Sequence, residues 1–247
     1  MTTRKRPAKK PARRAPAIAR PERTERPEPT TGERKRDATR RKLLERALKL
    51  FQQRGVEATT MRDIAKAAGM SLGAAYYYFP SKEALVFAYY EDNQAELEKL
   101  LAEASGTVRE RLGTVFHGKL ETIRPQKKML AAIVQRLVDP TDPVGAFSAQ
   151  TRSVRDRAMA VLEATLAGSG LPPAAIPFAA RALWLLQMAM MLVFVNDDSL
   201  GEQRTHGLVD ETLDMIVPML PLLATPMGAA MIDKITGALC RAGIAAV

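Results

Sequence analysis

Three groups of residues could touch an anion or a nucleobase. Tyr76, Tyr77 and Tyr78 are consecutive, Arg40, Arg41 and Lys42 form a basic triplet, and Lys82 follows Pro80-Ser81. On a helix, ~100° per residue turns at least one of the three tyrosines outward. An outward tyrosine beside a basic segment suits a phosphate oxygen or a thymine methyl. Cations in the first turn of a helix oppose its dipole, so an external phosphate is their natural compensation. Lys82 beside the free N–H groups of a helix start would complete a phosphate clamp.

Catalysis finds no comparable support. The chain has no Gly-x-Ser-x-Gly elbow, no phosphate-cradling Gly-rich loop and no His-Glu-x-x-His. One Cys excludes an intramolecular disulfide and a Cys-Cys redox pair. His117 and His206 lie 89 positions apart with no ligand cluster around either, so no metal site is expected. His117 reads as a structural or surface residue. Cys240, near the end of an apolar helix, reads as a small buried hydrophobe. Neither an enzyme nor a cofactor is expected, and the cysteine usage fits the reducing cytoplasm.

The charge is unevenly placed. Of 247 residues, 37 are Lys or Arg and 27 Asp or Glu, a net charge of +10. Residues 1–42 hold 16 of the basic and 5 of the acidic residues; the other 205 are nearly neutral, with 21 and 22. Residues 1–36 carry six prolines, and Met1 and Ile18 are their only apolar residues larger than Ala, Pro aside. Such a segment reads as a disordered basic tail, either solubilising or a nucleic-acid arm.

After Asp37 the spacing is helical throughout. Leu43, Leu44, Ala47, Leu48 and Phe51 share one face, closed by Gly55. Thr60 with Asp63 caps a short helix ending at Gly69. Ser71 caps a second, stopped by Pro80, and Ser81 starts a long helix to about 104. Thr107 with Glu110 opens the next, to about 123. Further helices are expected at about 125–138, 144–167, 174–195 and 201–217, and from Thr225-Pro226 to about 241. The fold class is all-α.

Residues 60–79 thus form a short helix, a glycine turn and a second short helix. A helix-turn-helix lets its first helix brace on the DNA backbone while the second enters the major groove. Helix hairpins with glycine turns also occur in ordinary bundles. The stretch Thr59-Thr60-Met61-Arg62-Asp63-Ile64-Ala65-Lys66-Ala67-Ala68-Gly69-Met70-Ser71-Leu72-Gly73-Ala74-Ala75-Tyr76-Tyr77-Tyr78-Phe79-Pro80-Ser81-Lys82 resembles the DNA-binding domain of the TetR (tetracycline repressor)/AcrR family. The resemblance covers residues 37–86. It implies a homodimeric, ligand-responsive regulator on double-stranded DNA, usually a repressor, with C-terminal helices forming the dimer interface and an effector cavity.

By the same resemblance, Arg62 is a second-helix DNA contact. Leu72, Gly73, Ala74, Tyr76, Tyr77 and Tyr78 are exposed positions of the recognition helix, and Lys82 is a phosphate contact. Ile64, Ala65, Ala75 and Phe79 form the core behind them. Arg40, Thr60 and Ser71 complete the expected DNA-facing set. Leu72 and Ala74 stand where relatives often carry polar residues, and neither can hydrogen-bond a base edge. Direct readout is therefore expected to be thin, with Arg62 and Tyr77 as its polar members.

Residues 87–247 are expected to form an effector-binding and dimerisation domain. The run from Leu183 to Val195 is apolar all round, which marks a helix buried on every side. At 13 residues it is short of the ~20 that a membrane span needs, so no membrane association is expected. A domain this small covers such a helix only with a partner's help. Met188, Met191, Leu192, Val195, Leu208, Leu213 and Ile216 are the expected dimer seam. Twelve methionines allow ordinary packing or an adaptable pocket. Phe116, Met129, Met159, Trp184 and Met188 are the expected lining for a small apolar effector. The alternative reading is a non-specific or architectural nucleic-acid-binding protein driven by the basic tail.

Overall fold

The computed structural model describes residues 31–137, 139 and 141–241, except the side chains of Gln135, Leu239 and Cys240. The readings of residues 1–30 as a tail and of Cys240 as buried lie outside the described residues. Among the described residues every regular element is a helix: α1 (Thr31–Arg54), α2 (Met61–Ala68), α3 (Leu72–Tyr78), α4 (Lys82–Glu103), α5 (Val108–Ile123), α6 (Lys127–Leu137), α7 (Arg152–Thr165), α8 (Ile176–Asn196), α9 (Gln203–Ile216) and α10 (Pro226–Arg241). Short 3₁₀ turns lead into α6, α8, α9 and α10.

The local chemistry of α2 and α3 sets their length. The Thr60 hydroxyl accepts from the Asp63 N–H at 3.1 Å, and the Asp63 carboxylate accepts from the Thr60 N–H at 3.1 Å. Gly69 ends α2 in the left-handed region at φ 71°, where a side chain would be strained. Ser71 accepts from the Ala74 N–H at 3.1 Å and starts α3. Buried Leu43, Ala47 and Phe51 of α1 share a core with Ile64, Ala65, Ala75, Phe79 and Leu85. That packing fixes the angle between the two short helices.

Helix α4 runs from this head into the body, where it packs on α5 and α7. Helix α8 lies against α7, α6 and α9, and α9 against α5. The head also meets the body directly. Gln52 of α1 donates to the Pro125 carbonyl, and Arg136 of α6 pairs with Glu57 at 2.8 Å.

Three expectations need correction. Helix α1 begins at Thr31, so the last six residues of the expected 1–36 tail are helical. The last tail proline is Pro29, and the Glu, Arg and Lys that follow favour helix without any apolar stripe. Arg40, Arg41 and Lys42 therefore sit ~2.5 turns inside the helix, where the dipole argument does not apply.

Residues 144–151 are a chain of turns rather than helix. A Cβ on Gly145 would stand 2.5 Å from the Asp139 carbonyl oxygen, so only glycine fits there. Thr151 Oγ1 donates to the Gly145 carbonyl at 2.8 Å and Asp142 accepts from the Val144 N–H at 2.9 Å, which locks the segment.

The apolar run at 183–195 belongs to a longer helical stretch. Pro173–Asn196 is long and apolar enough to cross a membrane. It is also not buried all round: Trp184, Gln187, Met190 and Phe194 face the core, while Leu185, Leu192 and Val193 are exposed.

Candidate nucleic-acid interface and internal pocket

The head presents one face of exposed polar and aromatic groups. Thr60, Arg62, Ser71, Gly73, Tyr76 and Tyr77 are exposed; Arg40, Leu72, Ala74 and Tyr78 are half-buried. Tyr77 is 69% exposed, against 48% for Tyr76. Its ring packs edge-on to Tyr78 at 5.3 Å and lies under the Arg36 guanidinium at 5.7 Å. Arg40, one turn along α1, lies over Phe79 at 4.8 Å. Helix α1 thus brings two cations to the edge of α3. Arg36 was not among the sequence candidates, because it was counted with the tail.

Lys82 is placed differently from expectation. Its ammonium donates to the carbonyls of Val56 at 2.8 Å and Glu57 at 3.3 Å. It caps the turn after α1 and ties the start of α4 to it. Two of its three N–H groups are engaged within the protein, which leaves one for a phosphate.

The expected seam residues divide by the phase of their helices. Leu192 and Leu208 are exposed, while Met188, Val195 and Ile216 are half-buried. Met191 and Leu213 are inside the protomer's own core, so neither can meet a partner. The outward stripe on α8 is instead Leu185, Leu192 and Val193, and on α9 it is Leu208 and Met215. Further along the chain, Met227, Met231 and Ile235 form an exposed apolar row on α10.

An internal pocket of about 650 Å³, counting space at its opening, lies among α4, α5, α6, α7, α8 and the 141–151 segment. Trp184 and Met188 line it as expected. Phe116 and Met129 do not; both are packed into the solid core, and Met159 is half-buried against it elsewhere. The pocket is also less apolar than expected. Lys119, Arg155, Tyr89, Tyr90 and Gln187 join its wall. Burial pushes the Tyr89 hydroxyl up to about 12, raises Tyr90 further in the same direction, and pulls Lys119 down to about 8.

A second cluster escaped sequence reasoning. His117 of α5 and His206 of α9 stack with ring centroids 5.0 Å apart, their Nδ1 atoms 2.7 Å from each other. His117 Nε2 lies 3.0 Å from Asp210, which also accepts from Arg109 at 2.9 Å. Eighty-nine positions of separation hid this pair; packing of α5 on α9 creates it. No group of three or more potential metal ligands occurs among the described residues.

Residues 43–89 match the family described as bacterial regulatory proteins, tetR family. The transcriptional repressor KstR2 of Mycobacterium tuberculosis is 35% identical over 98 residues, 35% of this chain and 45% of that protein. The regulator YuxN of Bacillus subtilis is 51% identical over 53 residues, 20% of this chain and 18% of that protein. These matches therefore span less than half the length of either relative. An uncharacterised helix-turn-helix regulator of Mycobacterium tuberculosis aligns more widely, 28% identical over 200 residues, covering 76% of this chain and 87% of its own. In fold, a protein of Syntrophomonas wolfei described as a TetR-family transcriptional regulator superposes with a TM-score of 0.61 at 17% identity, covering 74% of this chain and 96% of its own. GusR of Salmonella enterica gives 0.58 at 24%, covering 74% and 95%. These relatives are regulators, not enzymes. The matched residues lie on a capped helix-turn-helix, so residues 43–89 are similar to the DNA-binding segment of the tetR family of regulators, and the body shares its fold with these solved structures.

Proposed function

We propose that the protein is a dimeric repressor that occupies a pseudo-palindromic operator and is released when a small molecule enters the body pocket. The observation that carries this reading is the course of α4. The helix starts after a three-residue link from α3 and continues into the pocket wall at Tyr89 and Tyr90. A ligand that repositions α4 moves the reading helix with it, and it shifts the equilibrium by as much as its affinity differs between the two arrangements. The outward stripes of α8 and α9 supply a four-helix seam with a second copy. Arg62, Tyr76 and Tyr77 make the base-edge and phosphate contacts, with Leu72 and Ala74 against thymine methyls. The domains are the basic arm, the head that ends early in α4, and the body.

The test is selection of bound duplexes from a random library by the full chain. The expected result is an enriched inverted repeat with half-site centres about one helical turn, ~34 Å, apart. Binding of comparable strength to all duplexes, set by salt alone, overturns this reading and favours a non-specific nucleic-acid binder driven by the basic arm.

A further inference from the structure

We infer that the pocket takes an organic acid: an apolar body along Trp184, Met188 and Met191, with its carboxylate held between Lys119 and Arg155. This rests on the reading of the pocket as an effector site, and it replaces a purely apolar ligand with an anionic one. The pocket wall includes those two basic residues and no Asp or Glu.

Pairing elsewhere in the body shows what is unusual here. Arg109 faces Asp210 and Asp214, Arg157 faces Glu98, Lys127 faces Glu202, and Arg136 faces Asp142. Lys119 has no hydrogen bond or ion pair with any described residue, and burial alone shifts its titration. Arg155 is 5% exposed; it donates to the carbonyls of Ala146 at 2.8 Å and Ser148 at 3.4 Å, but its Nε has no acceptor. Arg155 has no ion pair, and only the more distant charge of Asp156, its chain neighbour, offsets its burial. A buried charge without a close counter-charge is costly, and a guanidinium cannot escape the cost by losing its proton.

Neutral donors point the same way. The Tyr90 hydroxyl and the Gln187 Nε2 are buried without a partner. Among the buried unpartnered groups of this wall, donors therefore outnumber acceptors. A carboxylate brings about four lone-pair sites and no donor, so it matches the surplus. An ammonium would repel both cations. A bare inorganic anion would leave the Trp184 and methionine walls unfilled.

Trp184 is the chain's only tryptophan and stands in the wall, so its emission reports occupancy directly. The full chain is titrated with matched probes: octanoate against octanol, phenylbutyrate against phenylbutanol, and octylammonium. The expected result is saturable binding of at least one acid, about tenfold tighter than its alcohol, with octylammonium weakest. In Lys119→Met that preference collapses while the alcohol still binds, and the ligand-free variant melts higher than the parent. If the alcohols bind as tightly as the acids, the acid class is wrong and the pocket reading stands. If neither series binds, the pocket reading falls as well. Should Lys119→Met fail to fold, the acid-to-alcohol ratio on the unmodified chain decides alone.

Discussion

Arg136 joins head to body: its Nη1 lies 2.8 Å from Glu57 Oε1, while its Nε lies 2.6 Å from Asp142 Oδ2. Glu57 belongs to the turn after α1, and its carbonyl accepts from Lys82 at the start of α4. Asp142 anchors the segment that carries Val144 and Ala146 into the pocket wall. One guanidinium thus ties the turn after α1 to the segment that carries Val144 and Ala146 into the pocket wall.

The two pairs should differ in worth. The Glu57 side chain is 80% exposed, whereas that of Asp142 is 14% exposed and accepts from Arg136 through both oxygens. Exposed pairs contribute up to about 1 kcal/mol. Removing Asp142 strands the Val144 N–H and much of the guanidinium, at about 2 kcal/mol. Thermal denaturation should therefore show Asp142→Ala clearly destabilised and Glu57→Ala nearly unchanged. Glu57→Ala should instead weaken the coupling, narrowing the ratio of DNA affinities with and without a pocket ligand. Equal melting losses in the two variants would contradict this ranking.

The His117–His206 pair makes stability pH-dependent. Burial, and after it the charge of His117, holds His206 below the ordinary histidine value. The 2.7 Å contact between the two Nδ1 atoms needs one donor and one acceptor, so the doubly protonated pair loses it. The unfolded chain binds the His206 proton near pH 6.5, where the fold resists it. Stability on this account is present above that pH and falls as pH drops through it. Melting temperatures at pH 7.5 and 5.5 should differ more in the parent than in His206→Gln. An identical difference in the two proteins would remove the pair as the cause.

The head was legible in the sequence because its signals are local. A Thr60–Asp63 box, a left-handed Gly69, a Ser71 cap and Pro80 each act within four residues, and together they fix both helices. The body was legible as helices but not as surfaces. Along 183–195 every position is apolar or nearly so, so the pattern does not show which way each residue points. That is why Met191 was expected at the seam and lies in the core, and why Leu185 was missed. The pocket's polarity was hidden for another reason. Lys119, Arg155, Tyr90 and Gln187 come from four helices with no shared spacing. Each alone looks like a solvated position; only tertiary packing turns them inward together.

The seam can be tested where the side chains are free. Leu192 of α8 and Leu208 of α9 are 39% and 38% exposed in the protomer, so a charge there costs little while the chain is alone. Across a two-fold seam the same charge is buried unpaired, which costs several kcal/mol. Leu192→Asp and Leu208→Asp should melt near the parent at high dilution yet sediment as monomers where the parent is a dimer. A parent that sediments as a monomer at micromolar concentration would remove the seam. Met191→Asp serves as the contrast: it places the charge in the protomer's own core and should impair folding itself.

The basic arm and the recognition helix should divide affinity from specificity. Residues 1–30 hold ten Lys and Arg among six prolines. So strong a positive charge should neutralise phosphates and add affinity that carries little sequence information. Tyr77 and Arg62 project from short helices whose orientation is fixed by the Ile64–Phe79 core, so any base contacts they make should depend on which base stands opposite. Removing residues 1–30 should weaken binding equally on the selected operator and on random duplex, and it should flatten the salt dependence. Tyr77→Ala should cost roughly 1–3 kcal/mol on the operator and much less on random DNA. Arg62→Ala should show the same asymmetry with a slightly smaller salt slope, since it also removes a cation. Both DNAs are titrated at several salt concentrations. An unchanged slope after the arm is removed means that the arm does not reach DNA. A loss confined to the operator means that the arm itself reads sequence, through an A·T-rich minor groove beside the major-groove site.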